Sequence, residues 1–204
     1  MTKKREERLA ILTATDMPYW TQGIAFAGMD EAGRGPLAGN VVTACVMMPP
    51  EPILEWVDDS KKLSPARRDE MYDAIMETAL FVGVGEASPE EIDRVNILEA
   101  TKNAMRRAAS AVPADIFLLD ALSGLGLRGR EVGIVHGDAL SYSIAAASII
   151  AKVTRDREML EADKMYPQYG FAQHKGYGTA QHIAALKQYG PCPLHRQSFI
   201  GHFL

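Results

Sequence analysis

Cysteine is scarce in this chain. Only Cys45 and Cys192 occur in 204 residues, far apart and without the spacing of a metal site. Such a pair favours a reduced, cytoplasmic setting over a disulfide-held fold. The opening residues, Lys3-Lys4-Arg5-Glu6-Glu7-Arg8, lack the apolar core of a signal peptide. No uninterrupted apolar run reaches the length of a membrane span, so a soluble intracellular protein is expected. Positive charge is not in excess either: the formal net charge is −4, and bulk electrostatics does not announce a polyanion ligand. Any polyanion would be held by local clusters such as Lys61-Lys62, Arg67-Arg68, Arg106-Arg107, Arg128/Arg130 and Lys152/Arg155/Arg157. The five histidines show no regular ligand spacing, which speaks against zinc. Internal repeats, low-complexity tracts and long linkers are absent.

What is present suits a globular enzyme. Hydrophobic residues make up 47% and charged residues 24%, enough to bury a substantial core. One domain over residues 1–204 is expected, with 1–20 as an N-terminal helical extension and about 166–204 as a C-terminal helical segment. The first helix runs from 3 to about 16, with Leu9, Leu12 and Ile11 on its buried side. Strand-like runs follow at 24–30, 41–48, 79–86, 116–120 and 132–135. Ser64-Pro65 and Ser88-Pro89-Glu90-Glu91 are helix starts, the second with a capping box. Helices are expected at 97–111, about 141–165 and about 179–189, the last stopped by Gly190-Pro191. A hairpin-like start followed by strands alternating with helices predicts an α/β domain with a mixed sheet.

The chemistry concentrates in Gly28-Met29-Asp30-Glu31-Ala32-Gly33-Arg34-Gly35-Pro36-Leu37-Ala38-Gly39. Adjacent carboxylates are hard-cation ligands, and a glycine-rich turn exposes N–H groups to phosphate or sugar. Strand alternation would aim Asp30 and Glu31 at opposite faces, so both reach one site only if the strand ends or bulges at Glu31. Asp120 closes the run Ile116-Phe117-Leu118-Leu119, and Asp138 follows the run from Val132 to Gly137. Singly, Asp120 could form a turn and Asp138 could cap the helix at Ser141. Jointly, acids at strand carboxyl ends could converge on one site. Carboxylates crowd only when cations neutralise them, and oxygen donors point to Mg²⁺ or Mn²⁺.

Three further motifs are ambiguous in isolation. Gly124-Leu125-Gly126-Leu127-Arg128-Gly129 matches a dinucleotide-binding pattern, but a strand-like run follows where a helix is required, so it reads as a connection. Ser60-Lys61-Lys62-Leu63 puts paired lysines before a helix start, as a phosphate clamp or a solvated basic turn. Tyr177 stands between Gly176 and Gly178, free to stack on a sugar or base, or packed at the start of the last helix.

Taken together the motifs resemble the bacterial ribonuclease HII family, the type 2 ribonucleases H. Matching segments are Asp30 to Gly39, Asp58-Asp59-Ser60-Lys61-Lys62-Leu63, Gly137-Asp138, Ser141 to Asp156, Lys175-Gly176-Tyr177-Gly178-Thr179 and His195-Arg196-Gln197-Ser198-Phe199. Two positions depart from the family pattern: Ala121 stands where glycine often follows the aspartate, and His136 where lysine is frequent. The resemblance implies a ribonuclease H-like fold, a mixed five-stranded sheet flanked by helices with a C-terminal helical segment. It also implies Asp30, Glu31, Asp120 and Asp138 as catalytic, metal-binding residues for two Mg²⁺ or Mn²⁺ ions. Gly33, Arg34 and Gly35 would sense the ribonucleotide, Ser60, Lys61 and Lys62 would contact substrate, and Tyr177 would read the RNA–DNA junction. The implied substrates are RNA–DNA hybrids and duplex DNA containing ribonucleotides, cut to 3′-hydroxyl and 5′-phosphate ends by a monomer. A resolvase-like enzyme of the same fold would share the carboxylates without needing a 2′-hydroxyl sensor. A non-catalytic binding module would have no need of all four acids.

Overall fold

The computed structural model describes residues 1–204. Five strands, β1 (Phe26–Ala32), β2 (Val41–Met47), β3 (Phe81–Ala87), β4 (Ile116–Asp120) and β5 (Arg130–Ile134), form one sheet in the order β3-β2-β1-β4-β5. The β3–β2–β1 half is antiparallel, while β1–β4 and β4–β5 are parallel. The expected mixed five-stranded α/β architecture is therefore present, with strand limits shifted by one or two residues.

Nine helices complete the chain: α1 (Lys3–Thr21), α2 (Pro65–Thr78), α3 (Pro89–Val95), α4 (Ile97–Ser110), α5 (Gly137–Leu140), α6 (Tyr142–Met165), α7 (Phe171–His174), α8 (Ala180–Tyr189) and α9 (Gln197–Ile200). Side-chain caps fix the starts of several. Ser64, Ser88, Ser141 and Thr179 each accept an N–H from three residues on. Only half of the Ser88 capping box closes, because the Glu91 carboxylate is held by Arg107 and Asn103.

Period-two alternation in β1 divides the core. Ala27 and Met29 face α4 together with Met105, Ala108, Phe117 and Leu119. Gly28, on the other face, lies beneath α6; a Cβ there would sit 2.2 Å from the Ser143 carbonyl carbon, so the strand and helix backbones touch. The alanine run Ala145-Ala146-Ala147 in α6 keeps that spacing small, and with Ile149 and Ile150 it fills the larger core cluster. This close contact holds α6 directly over the carboxyl end of β1.

Helix α1 is longer than expected and contains Pro18. Its inner side holds Leu9 and Leu12, but Ile11 is half exposed, contrary to the sequence reading. At a helical 100° per residue Ile11 lies off the Leu9–Leu12 stripe, and the inner positions go instead to the buried Arg5 and Asp16. Both cysteines are free, and no helix is long and apolar enough to cross a membrane.

Candidate active site

Pairing between β1 and β4 ends at Met29↔Leu119, so the next positions in register, Asp30 and Asp120, flank the point where two parallel strands part. Such carboxyl ends collect sites in α/β sheets. Asp138 arrives from α5, immediately after β5. Carboxylate oxygens of Asp30, Asp120 and Asp138 all lie within 4.8 Å of one another. Asp138 does not cap α6; Ser141 does so with its own hydroxyl. Asp120 accepts the Gly137 N–H at 2.8 Å, which ties the end of β4 to the turn carrying Asp138. Ala121 and His136, the two departures from the family pattern, both occupy the left-handed region, at φ 51° and 58°. Glycine would adopt that backbone without strain.

Glu31 is placed differently. The strand neither ends nor bulges there: the register with β2 runs unbroken through Glu31↔Thr43 to Ala32↔Val42. Glu31 is therefore out of line with Asp30 and outside the three-acid group, although it lines the same cleft. Its Oε1 accepts from Arg34 Nη1 at 3.2 Å, while Oε2 is buried without any partner.

The acids are electrostatically unsatisfied. Burial, then the charge of Glu31, pushes the Asp30 carboxyl well above its ordinary range. Burial also raises Glu31, against the pull of Arg34, and raises Asp120, against the Gly137 N–H. One cation, Lys61 Nζ, touches the group, 3.1 Å from Asp138 Oδ2. An orphaned carboxylate oxygen and a set of oxygen-only donors fit divalent cations of the hard class.

A cleft of about 240 Å³ gathers Asp30, Glu31, Gly33, Arg34, Gly35, Ser60, Lys61 and Tyr177 beside Ser148, Lys152 and Arg155. Ser60 is buried behind the wall, its Oγ accepting from Ser148 Oγ at 2.7 Å. Lys62 is not in this cleft; it faces a separate groove with Lys4, Arg8 and Trp56. The one-turn helix Ser60–Lys62 sends consecutive lysines in different directions. Tyr177 is exposed rather than packed, and a Cβ on Gly35 would lie only 3.8 Å from its ring. The Gly124–Gly129 stretch is a connection, as expected, with Glu131 accepting N–H groups of Leu125 and Leu127. A larger hollow of about 660 Å³ between Phe81, Arg106 and Leu127 contains no carboxylate.

Sequence reasoning placed Arg155 only in a basic cluster open to a polyanion and did not single out Arg196, yet both are fully buried and bonded to the loop after β1. Each sits inside a segment matched to the family, but neither was given a role in holding that loop.

The family model described as Ribonuclease HII matches residues 27–202. The chain belongs to the ribonuclease HII family. It is 56% identical over 177 residues to the ribonuclease HII of Geobacter sulfurreducens, covering 86% of this chain and 82% of that protein. With the ribonuclease HII of Ruminiclostridium cellulolyticum identity is 50% over 201 residues, covering 97% and 79%. Among solved structures, the ribonuclease H2 of Pyrococcus horikoshii superposes with a TM-score of 0.72 at 28% identity, over 88% of this chain and 99% of that one. The family-model match begins at the second residue of β1, so α1 lies outside it.

Proposed function

We propose that the cleft is the catalytic centre of an endonuclease that nicks duplex DNA 5′ of an embedded ribonucleotide and cuts the RNA strand of RNA–DNA hybrids. As a member of the ribonuclease HII family the chain is a ribonuclease H-type hydrolase. The observation that carries the site assignment is the convergence of Asp30, Asp120 and Asp138 from separate elements within 4.8 Å, beside a Glu31 with one oxygen unpartnered.

Asp30, Glu31, Asp120 and Asp138 would hold two Mg²⁺ or Mn²⁺ ions, since hard cations take carboxylate oxygens. When bound, such ions supply Lewis-acid stabilisation and a nucleophile from water for in-line attack on phosphorus. The chain's own residues do the rest. Arg34 and Lys61 place positive charge where a phosphodiester enters. Backbone N–H groups of Gly33, Arg34 and Gly35 make no bond within the protein and are available to the ribose 2′-oxygen. That hydroxyl is the local difference between RNA and DNA. Tyr177 presents a flat face beside Gly35, suited to stacking on the adjoining sugar. Contacts of this kind read sugar and phosphate, so base specificity is low.

We read residues 1–204 as one domain acting as a monomer in the cytoplasm, with 1–20 an extension and 166–204 the segment carrying Tyr177. The test is incubation of the full chain with Mg²⁺ and a duplex bearing one ribonucleotide, beside an all-DNA control. Cleavage confined to the ribonucleotide strand is expected. Equal cutting of all-DNA substrates would favour a resolvase-like enzyme and overturn the reading.

A further inference from the structure

Arg196 is fully buried and has no carboxylate partner. Its guanidinium instead donates five hydrogen bonds to carbonyls of the loop that follows β1. Nη2 reaches Gly33 O at 2.6 Å and Gly39 O at 2.8 Å, Nη1 reaches Arg34 O at 3.0 Å and Pro36 O at 2.8 Å, and Nε reaches Gly39 O at 3.0 Å. Arg155, also buried, takes the carbonyls of Ala38 and Asn40 and packs beneath Gly33, where a Cβ would meet its Nε at 2.0 Å. The backbone of the C-terminal segment adds two clips, Arg196 N to Leu37 O and Gly39 N to Leu194 O.

Burying a guanidinium without a carboxylate bonded to it is costly unless its donors are satisfied. Here the five charge-assisted bonds satisfy the fork. The arrangement also has a directional consequence. A trans peptide points its N–H opposite to the carbonyl before it, so drawing the carbonyls of Gly33 and Arg34 to one buried fork turns the unbonded amides of Arg34 and Gly35 away from that fork. A lysine would carry the same charge but, as a point donor of three protons, could not gather four carbonyls from a planar fork.

We propose that Arg196 is the positioning residue that makes the Gly33–Gly35 loop a ribose-reading surface, with Arg155 supporting its far half. This rests on the loop reading the 2′-hydroxyl as set out above. Arg196 does not touch substrate; it acts by holding the loop's carbonyls inward.

The experiment uses the full chain in an Asp30→Asn background, so that binding is measured without cleavage. Affinity is compared for a duplex with one ribonucleotide and for the same all-DNA duplex, with Arg196→Lys added in a second protein. The parent should prefer the ribonucleotide duplex. Arg196→Lys should cut that preference by about tenfold, the worth of roughly 1.4 kcal/mol, while all-DNA affinity and its salt dependence stay unchanged because charge is conserved. A parent without any preference overturns both the loop reading and the role of Arg196. A parent that discriminates and an Arg196→Lys protein that discriminates equally overturn the role of Arg196 alone. Should Arg196→Lys unfold, Arg155→Lys serves instead: a smaller drop in preference supports the arrangement, and an unchanged preference overturns it.

Discussion

Lys61 Nζ lies 3.1 Å from Asp138 Oδ2, and it is the single cation in contact with the three-aspartate group. The pair joins the turn before α2 to the turn after β5, so two distant segments meet at the site. Most of the Lys61 side chain is exposed, so the pair contributes little to folding.

On the proposed metal-binding reading, Lys61 would compete with divalent cations for Asp138. Lys61→Met should tighten Mn²⁺ binding by a factor of about 2–5, the equivalent of an exposed ion pair of up to about 1 kcal/mol. Substrate binding should weaken in the same protein. Calorimetric titration of Mn²⁺ checks the first effect, and weaker metal binding would contradict it.

Asp30→Asn separates function from stability. The amide keeps an oxygen for the Glu31 N–H, now 2.8 Å from Asp30 Oδ1, but loses the charge that would hold cations on the proposed reading. Turnover should fall almost to nothing. The folded-state pKa of Asp30 is raised, so its charge opposes folding above the ordinary carboxylate range, and metal-free stability grows as pH falls toward that range. Without metal at neutral pH, Asp30→Asn should melt higher than wild type by roughly 2–4 °C, about 1 kcal/mol for a chain of this size. A lower melting temperature would show that the carboxylate is stabilised in a way the geometry does not contain.

Tyr177 is the sharpest test of the wall proposed to face substrate. Tyr177→Ala should lose far more activity on a single-ribonucleotide duplex than Tyr177→Phe, with about 1–3 kcal/mol residing in the ring by analogy with base stacking. Melting temperature should barely move, because the ring is half exposed. Equal activity of wild type and Tyr177→Ala would remove the residue from the site.

Three histidines that looked unrelated in sequence meet beneath that wall. His182 Nε2 and His195 Nε2 are 3.1 Å apart, His174 stacks on His182, and Cys192 N–H donates to His195 Nδ1. His182 Nδ1 faces the Tyr177 carbonyl at 2.9 Å. Burial, then His182, pulls His195 down to about 4 from an ordinary 6.5. The unfolded chain takes up that proton first, so the stability His195 provides is full above about 6.5 and drains away as pH falls toward 4. Between pH 7 and about 4.5 wild type should lose roughly 2–3 kcal/mol through this group. Guanidinium unfolding at the two pH values, with His195→Gln as comparison, measures it. An equal loss in the variant would place the proton uptake elsewhere.

The site was partly legible before folding because its acids end apolar runs. Strand ends are local features and parallel strands bring them together, so pattern alone made Asp30, Asp120 and Asp138 candidates to converge, while leaving Asp120 open as a turn former and Asp138 as a helix cap. Lys62 could not be separated from Lys61, since the turn of Ser60–Lys62 that splays them is set by packing. Glu31 needed the sheet register, which continues to Ala32 instead of breaking. No role could be read for Arg196, because its partners lie some 160 residues upstream and only the folded loop shows carbonyls converging on it. The helix limits came through best where serine or threonine caps are local, and worst in α1, whose docking depends on Arg8 and Asp58 meeting across the fold.

The most direct measurement is the position and chemistry of the cut made in a 5′-labelled duplex carrying one ribonucleotide, with Mg²⁺ and with chelator. A four-carboxylate, cation-dependent site predicts a single nick on the 5′ side of the ribonucleotide, leaving 3′-hydroxyl and 5′-phosphate ends, and no cut in chelator. A 2′,3′-cyclic phosphate, or cleavage that persists in chelator, would mean that the ribose hydroxyl is the nucleophile and would contradict the account.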